Sequence, residues 1–137
     1  MESAAVRRKT MQAVGSKNTG PELLVRRLLY AHGYRYRLHR ADLPGHPDLV
    51  FVNQKKVIFV NGCFWHGHNC ARGARVPKSN REYWVAKVDR NRARDAASLK
   101  DLRGSGWAAL VVWECQLLDT RILMKRLRRF LTQQKPL

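Results

Sequence analysis

The sequence has few acidic residues, three cysteines and no long apolar run. Ten Asp and Glu residues stand against 27 Lys and Arg residues in 137 positions, which gives a formal net charge of +17. Such an excess on a folded domain favours a polyanionic partner, because each phosphate that is neutralised releases counterions. Anionic membrane surfaces and acidic proteins are the alternatives. Nucleic acid is the partner that we expect.

Other absences restrict the class of protein. No stretch approaches the ~20 apolar residues of a membrane span, and the first residues lack the apolar core of a signal peptide. We therefore expect a cytoplasmic protein. The odd number of cysteines disfavours a disulfide framework and favours a thiolate metal site. No internal repeat or linker divides the chain, so residues 1–137 are expected to form a single domain.

The apolar pattern predicts an α/β fold with a central mixed β-sheet flanked by helices. The predicted helices cover residues 5–14, 21–33, 81–103 and 117–132, and the predicted strands cover 34–39, 48–52, 55–60 and 107–113. The last strand is expected to be buried, and Asn53-Gln54 is expected to close a hairpin. Thr19 and Glu22 match a capping box at the second helix, which by itself accounts for Glu22. Residues 61–79 read as a long loop, and such loops are usually functional.

This loop contains the stretch "NGCFWHGHNC", residues 61–70. Together with the cysteine that follows the last predicted strand, it supplies a Cys3His set suited to tetrahedral zinc: Cys63, His68, Cys70 and Cys115. Four protein ligands leave no position for water, so this zinc would be structural and would tie the loop to the sheet. The alternative is three ordinary buried thiols and a surface histidine.

If zinc takes His68, then His66 is left in the same loop. Pro47-Asp48 opens an apolar strand, a position where many nucleases hold Mg2+, although a turn aspartate is the more frequent explanation of such a dipeptide. Asp95 and Asn91 interrupt the inward stripe of the long helix, whose other members are Trp84, Val88, Leu99 and Leu102. An inward Asp95 needs a partner. It would either orient a catalytic histidine or pair with an arginine.

Aromatic side chains cluster around the same loop. Phe64 and Trp65 lie within it, and Trp84 begins the helix that follows. Among basic residues, such side chains can stack on bases or wedge between base steps. The alternative is a small satellite core packed on the zinc site.

Four segments together resemble one known family, over roughly residues 8–115: "LPGHPDLVF", "VIFVNGCFWHGHNC", "REYWVAKVDRNRARD" and "GWAALVVWEC". They resemble the very-short-patch-repair (Vsr) DNA mismatch endonucleases. The resemblance implies a restriction-endonuclease-like fold and a Mg2+-dependent enzyme that nicks duplex DNA 5′ of the thymine in a T·G mismatch. This reaction initiates very short patch repair of deaminated 5-methylcytosine, and a monomer is expected. A restriction-type nuclease without mismatch selectivity and a non-catalytic, zinc-stabilised DNA-binding module are the competing functions.

The resemblance also implies roles for individual residues. Asp48 and the backbone carbonyl of Val60 would bind Mg2+, and Glu22 would contact metal-bound water. His66, oriented by Asp95, would activate the attacking water. The zinc ligands of the family match the Cys3His set named above. The DNA-contacting residues would be Met11 of the basic segment 1–19, Phe64, Trp65, Trp84 and Asn91.

The sequence departs from the family pattern at a few positions. Asn61 stands where some relatives carry His or Asp, and Gly67 and Asn69 replace histidines found in some members. The pattern lacks a lysine at its third motif position, so proton handling would fall to His66. A direct catalytic role is not expected at Asn61.

Overall fold

The sheet has four strands, with helices packed on both of its faces. A computed structural model of the protein describes residues 19–63 and 80–133. Within these ranges the helices are α1 (Gly20–Ala31), α2 (Arg81–Gly104) and α3 (Thr120–Thr132), and the strands are β1 (Arg37–Leu38), β2 (Leu49–Phe51), β3 (Lys56–Asn61) and β4 (Ala108–Trp113). The strands lie in the order β1-β2-β3-β4, with β1 to β3 antiparallel and β4 parallel to β3. The predicted α/β class and mixed sheet are confirmed.

Each face of the sheet carries its own apolar layer, because neighbouring side chains of a strand point to opposite faces. Val50 and Val57 pack against Leu102 of α2 on one face. The other face packs against α1 and α3, and its buried cluster contains Val25, Leu29, Leu49, Phe51, Ile58, Val112, Leu123, Met124, Leu127 and Leu131. Helices on both faces leave the ends of the strands as the part of the sheet open to a site. No helix within the described ranges is long and apolar enough to cross a membrane.

The helix boundaries follow local capping signals. The Thr19 hydroxyl accepts a hydrogen bond from the Glu22 N–H at 3.3 Å, with Pro21 in the first turn of α1. Asp119 caps α3 in the same way. This helix starts later than predicted because Glu114–Leu118 form a 3-10 helix first. The long predicted helix is confirmed as α2, whereas the predicted helix at 5–14 lies outside the described residues.

Two of the predicted strands differ from expectation. Only Arg37 and Leu38 of the strand predicted at 34–39 pair with β2, although Tyr34 and Tyr36 alternate with exposed arginines as the pattern requires. The strand ends at Leu38, and the next residue, His39, has a left-handed φ of 48°. The prediction that the last strand is buried was wrong. Most of β4 is only half-buried because, in the described sheet, it has β3 as its single neighbour.

A buried lysine holds α3 to the sheet. Lys56, the first residue of β3, is buried, and its Nζ donates to the carbonyl oxygens of Phe130 and Gln133. The last carbonyls of a helix lack partners within the helix and carry partial negative charge, so a cation there is stabilising. The contact fixes the C-terminal end of α3 against the start of β3.

Candidate active site

Three side chains with metal-binding chemistry meet at one end of the sheet. Glu22 lies in the first turn of α1, His39 follows β1, and Asp48 precedes β2. The pairing of β1 with β2 brings His39 opposite Asp48. The His39 backbone N–H donates a hydrogen bond to the Asp48 backbone carbonyl oxygen at 3.2 Å. One ligand atom from each of the three side chains lies within 4.8 Å of the others. We call Glu22, His39 and Asp48 the carboxylate–histidine cluster.

Glu22 is the buried member of this cluster. It is 1% exposed, and both of its carboxylate oxygens lie close to His39 Nε2, at 2.9 Å and 2.8 Å. Arg26 Nη1 approaches the same carboxylate at 3.4 Å. A buried carboxylate requires such partners. The expectation that capping alone accounts for Glu22 was therefore wrong, because only its backbone N–H contributes to the cap and its side chain lies at the site.

Asp48 is held by the neighbouring strand. Its Oδ2 accepts a hydrogen bond from the Val60 N–H of β3 at 2.7 Å. Burial raises the pKa of Asp48 to about 7; the Val60 N–H opposes the rise, and the negative charge of Glu22 adds to it. Asp48 is therefore not an ordinary turn aspartate, because its side chain accepts its hydrogen bond from the neighbouring strand and not from the backbone of its own turn. The expected role of the Val60 carbonyl oxygen stays a prediction.

The donor set fits a divalent cation. Two carboxylates supply the oxygen ligands that Mg2+ prefers, and an ion between them would offset the mutual repulsion of their charges. The raised pKa of Asp48 has that repulsion as one of its causes. The cluster therefore offers a site where Asp48 would hold the metal that the sequence resemblance implies. The resemblance implies for Glu22 a contact to metal-bound water, but its carboxylate lies close enough to Asp48 and His39 to hold the ion directly.

The predicted stripe of α2 faces inward. Trp84, Asn91 and Asp95 are half-buried, as are most other members of the stripe, while Leu102 is fully buried. Asn91 accepts a hydrogen bond from Arg94 at 2.9 Å. Asp95 lies one turn before Ser98, the residue of α2 that faces the loop leading to the cluster. His66 lies outside the described residues, so its pairing with Asp95 stays a prediction.

Two of the four predicted zinc ligands are adjacent. Cys63 is buried at the end of β3, and its Sγ accepts a hydrogen bond from the Cys115 backbone N–H at 3.3 Å. Neither of these two cysteines forms a disulfide. Cysteine binds zinc through its sulfur atom, and the two residues approach each other at this sulfur. This pair fits a thiolate metal site, whereas His68 and Cys70 lie outside the described residues.

Aromatic and basic side chains lie together at the start of α2. Trp84 packs edge-to-face on Tyr83 with ring centroids 5.1 Å apart, and Lys87 Nζ lies about 6 Å from both rings. Sequence reasoning missed Tyr83, which is 54% exposed. The other predicted DNA-contacting residues, Met11, Phe64 and Trp65, lie outside the described ranges. The described pair presents ring surface beside a positive charge, which suits a nucleic acid.

A basic groove runs along the edge of the sheet. Its volume is about 740 Å³, and its charged lining consists of Arg35, Arg37 and Arg40. Arg40 directly follows His39 in the chain, and its guanidinium is hydrogen-bonded to Asp42. Guanidinium groups such as those of Arg35 and Arg37 can bind the phosphates of a nucleic acid.

Sequence reasoning also missed His39. The residue ends the alternating stretch "YRYRLH", which by itself indicates only a half-exposed strand. The signal that could have identified it is the register between this stretch and the strand that begins at Asp48. The sequence did not fix that register, because the connection between them, which contains "DLPGHP", is an irregular turn.

The same connection supplies a test of how the site is supported. Gly45 has a φ of +78°, and a Cβ added there would lie 2.9 Å from Ser98 Cβ and 3.1 Å from the Phe59 ring. Gly45→Ala should therefore destabilise the protein by more than about 1 kcal/mol, measured by denaturant unfolding, and should displace the chain that leads into Asp48. The control is Gly20→Ala, where no atom lies within 4 Å. Equal stability of the two variants would show that the connection does not depend on this close approach.

Comparisons with known proteins place these features in a family context. The family model for the DNA mismatch endonuclease Vsr matches residues 2–72. A type II nicking enzyme of Xanthomonas oryzae, V.XorIIP, is 54% identical over 125 residues, which are 91% of this chain and 91% of the relative. The DNA mismatch endonuclease Vsr of Escherichia coli is 40% identical over 113 residues, 82% of this chain and 72% of the relative. The type II nicking enzyme V.NmeAIP of Neisseria meningitidis is 41% identical over 91% of this chain and 89% of the relative.

Proposed function

Because the chain belongs to the Vsr family of DNA mismatch endonucleases, we propose that it nicks one strand of duplex DNA 5′ of the thymine in a T·G mismatch. The reaction depends on Mg2+ and initiates very short patch repair of deaminated 5-methylcytosine. The class of enzyme follows from the family, since the relatives are endonucleases, and a non-catalytic DNA-binding module is therefore set aside. The preference for a T·G mismatch and the dependence on Mg2+ are what we propose beyond the class of enzyme.

The observation that carries the proposal is the carboxylate–histidine cluster at the end of the sheet. Glu22 and Asp48 would hold Mg2+, which would polarise the scissile phosphate and lower the pKa of bound water. The Val60 N–H fixes the orientation of the Asp48 carboxylate. His66 would take the proton of the attacking water, and Asp95, on the inward stripe of α2, would orient its ring.

Selectivity for a mismatch would come from aromatic insertion. A mismatched pair costs less to unstack than a matched pair, so a side chain that wedges beside it discriminates between the two. Trp84, which lies beside Tyr83 and Lys87, would take this role together with Phe64 and Trp65 of the preceding segment. The arginines of the basic groove, together with the net charge of +17, would bind phosphates without regard to sequence.

Structural zinc completes the proposal. Cys63 and Cys115 would supply two of the thiolate ligands, and the hydrogen bond from the Cys115 backbone N–H to Cys63 Sγ supports this pairing. His68 and Cys70 would supply the remaining ligands from the segment that also carries His66 and the aromatic side chains. One tetrahedral ion would then fix the backbone from which the general base and the wedge project.

A nicking assay on a panel of end-labelled duplexes tests the function. Matched C·G, T·G and other mismatched duplexes of one sequence are incubated with Mg2+ or with EDTA. We expect a single nick 5′ of the mismatched thymine, at least about tenfold faster than on the matched duplex, and no product in EDTA. Equal rates on matched and T·G duplexes, or cleavage of both strands, would favour a restriction-type nuclease instead.

A further inference from the structure

We propose that His39 is a direct ligand of the catalytic cation and makes this site favour Mn2+ over Mg2+. The inference rests on the proposed function, because it assumes that Glu22 and Asp48 hold a divalent ion. It concerns a residue to which neither the sequence resemblance nor the family comparison assigns a role. The ring nitrogen of His39 would thus complete a mixed nitrogen and oxygen donor set.

The ring nitrogen of His39 lies as close to the Glu22 oxygens as two neighbouring ligands of one ion lie to each other. His39 Nε2 lies 2.8–2.9 Å from the two oxygens of Glu22, and the Asp48 carboxylate lies within the same 4.8 Å cluster. Ligands about 2.1 Å from an octahedral ion are roughly 3.0 Å apart when they occupy neighbouring positions. The spacing between this nitrogen and these oxygens is already that of neighbouring ligands, so an ion could replace the hydrogen bond with little movement.

The backbone of His39 has an uncommon conformation and is hydrogen-bonded to Asp48. His39 has a φ of 48°, a left-handed conformation that is uncommon for a residue with a side chain. It also directly follows β1 and donates its backbone N–H to the Asp48 carbonyl oxygen, so its position is tied to that of Asp48. Uncommon backbone conformations of this kind concentrate at binding and catalytic sites. In this conformation the imidazole contacts the Glu22 carboxylate.

The chemistry of the donors gives the selectivity. Mg2+ is a hard ion that prefers oxygen ligands and loses its water reluctantly. First-row transition ions accept imidazole nitrogen more readily, and geometry and ligand type set the selectivity among such ions. A site with two carboxylates alone would suit Mg2+. Adding one imidazole should raise the affinity for Mn2+ more than the affinity for Mg2+.

The competing explanation is that His39 only pairs with the Glu22 carboxylate. In that case its nitrogen never contacts the ion, and removing the imidazole would change both metal affinities by a similar factor. His39→Gln separates the explanations, because glutamine keeps a donor towards Glu22 but has no imidazole nitrogen. His32→Gln is the matched control, since His32 is exposed at the end of α1 and its Nδ1 contacts the Leu28 carbonyl oxygen.

The test uses the full chain without DNA and two readouts. Calorimetric titration measures the affinities for Mg2+ and Mn2+, and electron spin echo modulation of bound Mn2+ detects coupling to a ligand nitrogen. We expect the wild type and His32→Gln to prefer Mn2+ and to show the nitrogen coupling. His39→Gln should lose the coupling and lower the Mn2+ to Mg2+ affinity ratio by about 10-fold or more. His39→Asn gives a second measurement should the glutamine variant unfold.

The outcomes are distinguishable. Nitrogen coupling that persists in His39→Gln, for example from His66, overturns the proposal, and so does an unchanged affinity ratio. If the wild type binds neither ion, both this proposal and the metal dependence of the proposed function fail. If the wild type binds both ions without nitrogen coupling, the metal site stands and the role of His39 is overturned.

Discussion

An Asp48→Asn variant should lose nicking of a T·G duplex by about a thousandfold or more while still binding that duplex. Bound metal contributes several kcal/mol of charge stabilisation to phosphate hydrolysis, and about 1.4 kcal/mol corresponds to each factor of ten in rate. Asparagine is nearly the same size as aspartate but carries no charge, and its amide oxygen can still accept the Val60 N–H. Gel-based nicking assays and a separate binding titration measure the two effects.

The same variant should be more stable than the wild type when metal is absent. Burial raises the pKa of Asp48 to about 7 from 3.8, so the folded protein holds a proton that the unfolded chain releases. The free energy of unfolding therefore falls as the pH rises from about 4 to about 7. Above that range, the full loss of stability from ionising the buried Asp48 is present. The asparagine side chain of the variant has no proton to release, so the melting temperature of Asp48→Asn should exceed that of the wild type by at least about 3 °C at pH 8.5. The difference should shrink at pH 5.5.

Asp42→Asn is the control, because Asp42 lies in the same connection but is exposed. Its hydrogen bond with Arg40 holds the pKa of Asp42 below its usual value, so its charge does not oppose folding. This variant should nick at the wild-type rate and gain no stability at any pH. Wild-type nicking by Asp48→Asn would remove Asp48 from the site, and an unchanged melting temperature at pH 8.5 would show that its charge costs nothing.

A Cys115→Ser variant should lose its zinc and much of its stability. We expect one zinc ion per wild-type chain and none in the variant, because a hydroxyl is a far weaker zinc ligand than a thiolate. The free energy of binding a structural zinc is also free energy of folding, on the order of 10 kcal/mol in small zinc domains. Elemental analysis after dialysis gives the zinc content, and thermal unfolding gives the loss of stability.

Cys115 is a better position than Cys63 for measuring the effect of zinc on stability. Cys63 is completely buried, so replacing it would disturb the core whether or not zinc is bound, whereas Cys115 is partly exposed. Leu118→Ser is the control, since Leu118 lies in the same 3-10 helix, is 82% exposed and should leave the zinc in place. One retained zinc in Cys115→Ser would remove this residue from the ligand set. A wild type without zinc would favour ordinary free thiols.

Much of the architecture could be read from local patterns. The apolar stripe with its polar members Asn91 and Asp95 predicted the inward face of α2, and the hairpin around Asn53 was predicted from the strands on either side. These features depend on the period of a helix or a strand, which a short window of sequence contains. Local patterns failed to predict the position of the Glu22 side chain and the partial exposure of β4. A capping pattern describes only backbone hydrogen bonds, and the burial of an apolar strand depends on its place in the sheet.

The sequence by itself determined the elements, the positive charge and the family of this protein, because helix and strand periods, composition and long ordered motifs are properties of neighbouring residues. Only the tertiary structure decided which side chains meet. Glu22 contacts His39 across 17 positions, and the Cys115 N–H reaches Cys63 across 52. Each of these contacts depends on how strands and helices pack. Strand register and helix docking are set by side-chain packing over the whole sheet, and no short segment contains that information.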